Sequence, residues 1–240
     1  MEARQVAAGH GWNWIADGFR LFKESPVIWI ALFFIYVLIA MVLSIIPLFG
    51  PIVLNLLAPV FMAGFMLGCK AIEEGEELEI NHLFAGFKIH TSRLITVGGI
   101  YLTGIIVIVG LVFIATGSAA LLSATPGHTT PAENSQILLA VLIALAAVVP
   151  LVMAYWFAPA LVVFHDDKPV EAMKLSFQAC LKNVVPFLIY GIASMVLMLV
   201  AMIPLGLGLL IMIPTITASL YTSYKDIYNP PTTGGGEIAM

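Results

Sequence analysis

The chain has 240 residues, 61% of them hydrophobic and only 10% charged, with a mean hydropathy of +1.04. A soluble domain carries about 25% charged residues, so water is excluded as the main solvent. A net charge of −4 excludes a basic field for nucleic acid.

The first 25 residues mix Trp12, Trp14, Asp17, Arg20, Lys23 and Glu24. They lack the short apolar stretch and cleavage site of a signal peptide, so the N-terminus is expected to be retained. Six later stretches, roughly 27–46, 51–69, 94–116, 136–164, 184–203 and 205–223, approach the ~20 apolar residues that a membrane span requires. Only helices are plausible in lipid, where an open strand leaves backbone groups unpaired. Pro47-Leu48-Phe49-Gly50-Pro51 separates the first two stretches and Pro204-Leu205-Gly206 the last two, which predicts tight hairpin turns. The fourth stretch contains Pro150 and Pro159, which predicts a kink or a tilt. Residues 1–228 read as a single transmembrane domain and 229–240 as a flexible cytoplasmic tail.

All ten basic residues fall on one side of these spans: Arg4, Arg20, Lys23, Lys70, Lys88, Arg93, Lys168, Lys174, Lys182 and Lys225. The opposite loop at about 117–135 has no Lys or Arg, and Glu133 is its only charge. The positive-inside rule therefore predicts a bacterial inner-membrane protein with both termini in the cytoplasm. Cys69 and Cys180, far apart and in no CxxC spacing, fit neither a disulfide framework nor a zinc module.

Aligning Phe19, Phe87 and Phe177 reveals a threefold pattern. Seven and four residues before each lie Trp12 and Ile15, Ile80 and Leu83, Val170 and Met173. This spacing puts each triad on one helical face. A proline recurs in the second span of each hairpin: Pro59, Pro159 and Pro214. The predicted fold is all-α, with six transmembrane helices in three hairpins. Each hairpin follows a short interfacial amphipathic helix, giving repeats at about 11–70, 79–164 and 169–225. The nine triad residues are expected to anchor these helices at the headgroup level, with membrane lipids as partners.

Gly11-Trp12-Asn13-Trp14, Gly18-Phe19, His82-Leu83-Phe84-Ala85-Gly86-Phe87, Trp156-Phe157-Ala158-Pro159-Ala160 and Glu171-Ala172-Met173-Lys174-Leu175-Ser176-Phe177 follow one another along the chain. On these motifs the chain, over about 11–228, resembles a group of uncharacterised proteobacterial six-span inner-membrane proteins. That group is similar in outline to YciC-like proteins and to the membrane domain fused to some glycerophosphodiester phosphodiesterases. The resemblance implies fold and location, and no phosphodiesterase domain is present to carry that chemistry.

No ionisable residue lies well inside the six stretches, which argues against a proton-coupled pump. Asn55, Thr103, Tyr155, Ser194 and Thr215 are candidates to line a cavity, and Gly64 and Gly68 form a GxxxG for helix packing within or between subunits. Met62, Met66 and Cys69 share a face, but methionine is a routine gap filler, and no metal or other cofactor is expected. His165-Asp166-Asp167 and the Glu79/His82 pair are minor cation candidates. The acidic run Glu73–Glu79 is a candidate surface for a basic protein partner at the cytoplasmic face. With no catalytic motif in a credible setting, the expected function is non-enzymatic binding of lipid or another amphiphile, or membrane scaffolding. A passive channel or carrier for small solutes is the alternative.

Overall fold

The computed structural model describes residues 2–116 and 131–228. Its helices are α1 (His10–Glu24), α2 (Pro26–Ser44), α3 (Phe49–Glu73), a 3-10 helix (Ile80–Phe87), α4 (Thr91–Thr116), α5 (Pro131–Trp156), α6 (Ala158–His165), α7 (Pro169–Lys182), α8 (Val184–Met202) and α9 (Leu209–Tyr228). No strand occurs among the described residues. The tail expected at 229–240, and most of the loop expected at about 117–135, lie outside them.

Among the described residues, five segments are long and apolar enough to cross a membrane: Pro26–Ser44, Phe49–Glu73, Thr91–Ile114, Leu138–His165 and Val184–Met202. The stretch read at 205–223 becomes helical only from Leu209 and is not among the five. Tyr221, Thr222, Ser223, Tyr224, Lys225 and Asp226 occupy the second half of α9, a half largely withdrawn into the protein. Elsewhere Phe34, Leu38, Met41, Val107, Leu142 and Leu199 stand exposed on the long helices. An apolar surface that extensive is not sustained in water.

Prolines stop α2 and α8 where the sequence requires it. In both turns the residue after the proline, Leu48 or Leu205, has a positive φ of 68° or 53°, which costs a non-glycine residue about 1–3 kcal/mol. Glycine then admits the returning helix. A Cβ on Gly50 would lie 1.9 Å from the Leu43 carbonyl oxygen, and one on Gly208 2.6 Å from that of Ala201.

The predicted kink in the fourth stretch is a full break at Phe157. Ser176 of α7 enters the gap, donating to the Met153 carbonyl at 2.7 Å and accepting from the Phe157 amide at 2.9 Å. An unbroken helix would pair those two groups with each other. The inserted hydroxyl satisfies both, a recognised cause of helix kinks.

Each short element packs most extensively on a long helix: α1 on α9, the 3-10 helix on α3, and α7 on α5. The residue before each aligning phenylalanine is small and meets that helix's backbone. A Cβ on Gly18 would lie 2.6 Å from the Thr215 carbonyl oxygen, and one on Gly86 2.1 Å from that of Val60. Thr215 and Val60 directly follow Pro214 and Pro59. The third member is Ser176, whose hydroxyl bridges the α5–α6 break.

Gly86→Ala therefore forces two backbones apart and is expected to destabilise by about 1–3 kcal/mol. The control Gly110→Ala, where nothing lies within 4 Å of the new Cβ, should be neutral or stabilising by up to about 1 kcal/mol. Thermal melting in detergent compares the two, and equal melting temperatures would refute the close approach at Gly86.

Candidate functional site

The structure divides the nine triad residues. Ile15, Leu83 and Met173 are buried in the bundle, Trp12, Ile80, Val170, Phe19 and Phe87 are exposed, and Phe177 is half-buried. Each stripe thus straddles the seam between protein core and outer surface. Gly64 and Gly68 receive the 3-10 segment of the same chain. A Cβ on Gly64 would lie 2.5 Å from the His82 carbonyl oxygen, and one on Gly68 2.6 Å from Leu78 Cδ1.

The five candidate cavity residues do not converge. Asn55, Thr103 and Thr215 each donate to the carbonyl four residues earlier on their own helix, those of Pro51, Gly99 and Ile211, at 2.7–2.8 Å. Such back-bonding satisfies a polar side chain without any cavity. Tyr155 packs on Tyr101 with ring centroids 4.6 Å apart. Of the five, Ser194 alone lines the groove between α5 and α8.

That groove has a volume of about 550 Å³ and lies between α5 and α8, bordered by Val148, Val152, Trp156, Phe187, Gly191 and Ser194. Its size falls in the range of small-molecule sites, about 300–1,000 Å³. It exists because a helix contact is missing. At the preceding junction α3 packs directly on α4, where a Cβ on Gly98 would lie 2.8 Å from the carbonyl oxygens of Asn55 and Leu56. At the junction of α9 and α2 those helices also touch, but α5 and α8 make no comparable contact. Gly191 stands as far along α8 as Gly98 does along α4, yet nothing lies within 4 Å of a Cβ placed on it.

The lining carries no charged side chain. Val149, Val184 and Leu188 on its rim are each more than half exposed, so the groove opens sideways onto the apolar surface. Trp156 crosses Phe187 and Tyr190 nearly at right angles, at centroid distances of 5.9 and 6.2 Å. The Tyr190 hydroxyl lies 2.7 Å from Ser219 Oγ, which itself donates to the Ile216 carbonyl, so tyrosine is the donor of that pair. Trp156 Nε1 is buried without a hydrogen-bond partner. Burial pushes the Cys180 thiol up to about 12, so this lining group is not a thiolate nucleophile.

A second polar system ties the chain ends together. Asp226 of α9 accepts from Arg4, from His10 Nδ1 at 2.7 Å and from Trp14 Nε1 at 2.8 Å. Buried Asn183 accepts from the Val6 amide at 2.9 Å and donates to the Arg4 carbonyl at 2.9 Å. Residues 4–6 therefore strap the end of α7 to the end of α9. Burial pushes the Asp226 carboxyl up, but the hydrogen bonds from Trp14, His10 and Arg4 outweigh that effect and hold it below the usual carboxylate range.

Most of the minor cation candidates are engaged within the protein, although Asp167 Oδ2 is buried without a hydrogen-bond partner. Glu79 and His82 cap the 3-10 helix, with the Glu79 amide donating to His82 Nδ1 at 2.9 Å. Asp166 pairs with Arg93 and His90, and His165 with the Tyr224 hydroxyl. From the acidic run, Glu73 accepts from Tyr221 and Lys225. Sequence reasoning missed Ser176, Asn183 and Asp226. A small residue before each aligning phenylalanine was a readable signal for the first; the other two depend on contacts across about 180 or more residues.

The chain is 32% identical, over a 250-residue alignment, to a probable inner membrane protein of Burkholderia thailandensis, with 95% of this chain and 93% of that protein covered. No family model matches the chain, and no solved structure matches it.

Asp226→Asn removes a charge-assisted acceptor and should cost about 1.5–3 kcal/mol of stability near neutral pH. A depressed carboxyl contributes its full stabilisation above its unfolded value and loses it as pH falls through the lower folded value. Melting curves of the wild type and Asp226→Asn should therefore stay separated from pH 8 to about 5 and converge below about pH 4. A constant gap down to pH 3 would contradict the ionised acceptor.

Proposed function

We propose, for a chain that belongs to the family of this Burkholderia probable inner membrane protein, a multi-pass inner-membrane protein that binds lipid or a similar amphiphile without enzymatic chemistry. The observation that carries the proposal is the uncharged, sideways-opening groove between α5 and α8. Its rim meets the apolar surface that acyl chains would cover, so a chain reaches it without crossing water.

The same reading places six spans in the membrane with both termini in the cytoplasm. α9 has 20 residues, about 30 Å of helix, and on this reading Lys225 and Asp226 stand at its cytoplasmic end, outside the bilayer core. Its polar half faces α1 and the other helices rather than lipid. A threefold repeat is supported by the cyclic order of contacts: each short element rests on the second helix of the preceding hairpin, beside that helix's proline. The exposed Trp12, Phe19, Ile80, Phe87 and Val170 then meet the acyl boundary, and the neighbouring basic residues meet anionic headgroups.

Native mass spectrometry of protein extracted gently from its own membrane should find lipid at a fixed stoichiometry. Gly191→Leu fills the groove and replaces a helical glycine with a better helix former, so it should abolish that retention without lowering the melting temperature. A bare wild-type protein, or undiminished retention by Gly191→Leu, would overturn the proposal.

A further inference from the structure

We infer that the groove is a one-leaflet site, which takes a hydrocarbon chain of a lipid from the leaflet on the α7 side and recognises that chain without regard to its headgroup. This inference rests on the lipid-binding reading above and adds the leaflet and the part of the lipid that is held.

Depth assigns the leaflet. The groove begins at α7, whose Cys180 borders it, and on α8 its lining runs from Val184 to Ser194. These are the first and eleventh residues of α8, so the lining extends roughly 15 Å along the axis, half of a ~30 Å bilayer core. On α5 it runs back from Trp156, the last residue of that helix, to Val148, roughly 12 Å. Both walls therefore end near the bilayer centre. A chain anchored on the α7 side lies along the whole groove, whereas one anchored in the opposite leaflet meets it only with its terminal carbons. On the placement proposed above, the α7 side is the cytoplasmic leaflet.

Width excludes a helix. Spread over that length, a volume of about 550 Å³ gives a cross-section of roughly 40 Å². A helix with its side chains is about 10–12 Å across, or roughly 80–110 Å², so a span of a second copy cannot enter. A flexible hydrocarbon chain can. The walls are also held apart. Cys180 Sγ donates to the Met153 carbonyl at 3.6 Å, beside the Ser176 bridge, and Trp156 stands between α5 and α8 against Phe187 and Tyr190.

Composition selects the chain rather than the headgroup. No charged side chain lines the groove, so a phosphate inside it would lose its hydration without gaining a counter-charge. Lys182, beside the α7–α8 junction, is already engaged, donating to Glu2 at 2.7 Å and to the Ala3 carbonyl at 3.3 Å.

The test uses Trp156 as its reporter. Trp14 and Trp29 are buried, Trp12 is exposed, and Trp156 borders the groove. In Trp12→Phe, Trp156 is therefore the tryptophan that a lipid chain can touch. That protein, tagged at its amino terminus, is placed in phosphatidylcholine vesicles holding no more than one copy each, and vesicles presenting the tag are captured. Dibromo-phosphatidylcholine, whose bromines quench indole emission on contact, is confined by lipid exchange to the outer or the inner leaflet. Bromine in the outer, tag-side leaflet should quench Trp156, and bromine in the inner leaflet should leave its emission unchanged. Adding Gly191→Leu should abolish the quenching, and dibromo-phosphatidylglycerol should quench as strongly as the phosphatidylcholine. Equal quenching from both leaflets, or quenching from the inner leaflet alone, would overturn the leaflet assignment; stronger quenching by phosphatidylglycerol would overturn recognition by the chain. Quenching that survives Gly191→Leu, or none from either leaflet while native mass spectrometry still finds bound lipid, would take the chain out of the groove. Retention of no lipid would sink the lipid reading itself, and this inference with it. The leaflet contrast decides the assignment even where the Gly191→Leu protein fails to fold.

Discussion

Close backbone approach between the short elements and the long helices is the constraint on which this architecture depends. Helices in lipid gain no hydrophobic driving force from meeting one another, so geometry of contact decides their association. Gly18 and Gly86 let α1 and the 3-10 helix reach the carbonyls of Thr215 and Val60. Ser176 does more, entering the α5–α6 break and pairing both groups that the break leaves free. A larger residue at any of the three positions would lift its element off its helix. On the proposed placement the three contacts form a closed cycle, and the strap at residues 4–6 reinforces the join where the chain ends meet.

The groove is the exception within that cycle. α3 and α4 close on each other through Gly98, and α9 and α2 also touch, whereas α5 and α8 stand apart. Gly191 keeps the space open where a side chain would otherwise fill it. The aromatic wall of Trp156, Phe187 and Tyr190, fixed by the Tyr190–Ser219 bond, keeps one end rigid. A rigid apolar recess of this kind lowers the ordering cost of a bound chain, because the protein has little left to immobilise.

Local signals were the legible ones. Apolar run length gave the helices, and proline with glycine gave the turns and the Phe157 break. α9 is instructive: its apolar half reads as a span, while the contacts of Lys225 and Asp226 with Glu73, Arg4, His10 and Trp14 lie in no local window. The candidate site was hidden for the same reason. Hydroxyl and amide residues were expected to mark a cavity, yet Asn55, Thr103 and Thr215 satisfy themselves on their own helices. A groove walled by valine, phenylalanine and glycine carries no polar signature, and it arises from two helices failing to meet.

The most direct test of the central claim is an experimental structure of the protein in a lipid nanodisc. The lipid reading predicts a continuous tubular density against Val152, Phe187 and Gly191, between α5 and α8. Direct packing of α5 on α8, with side chains filling the space and Gly191 against backbone, would contradict it.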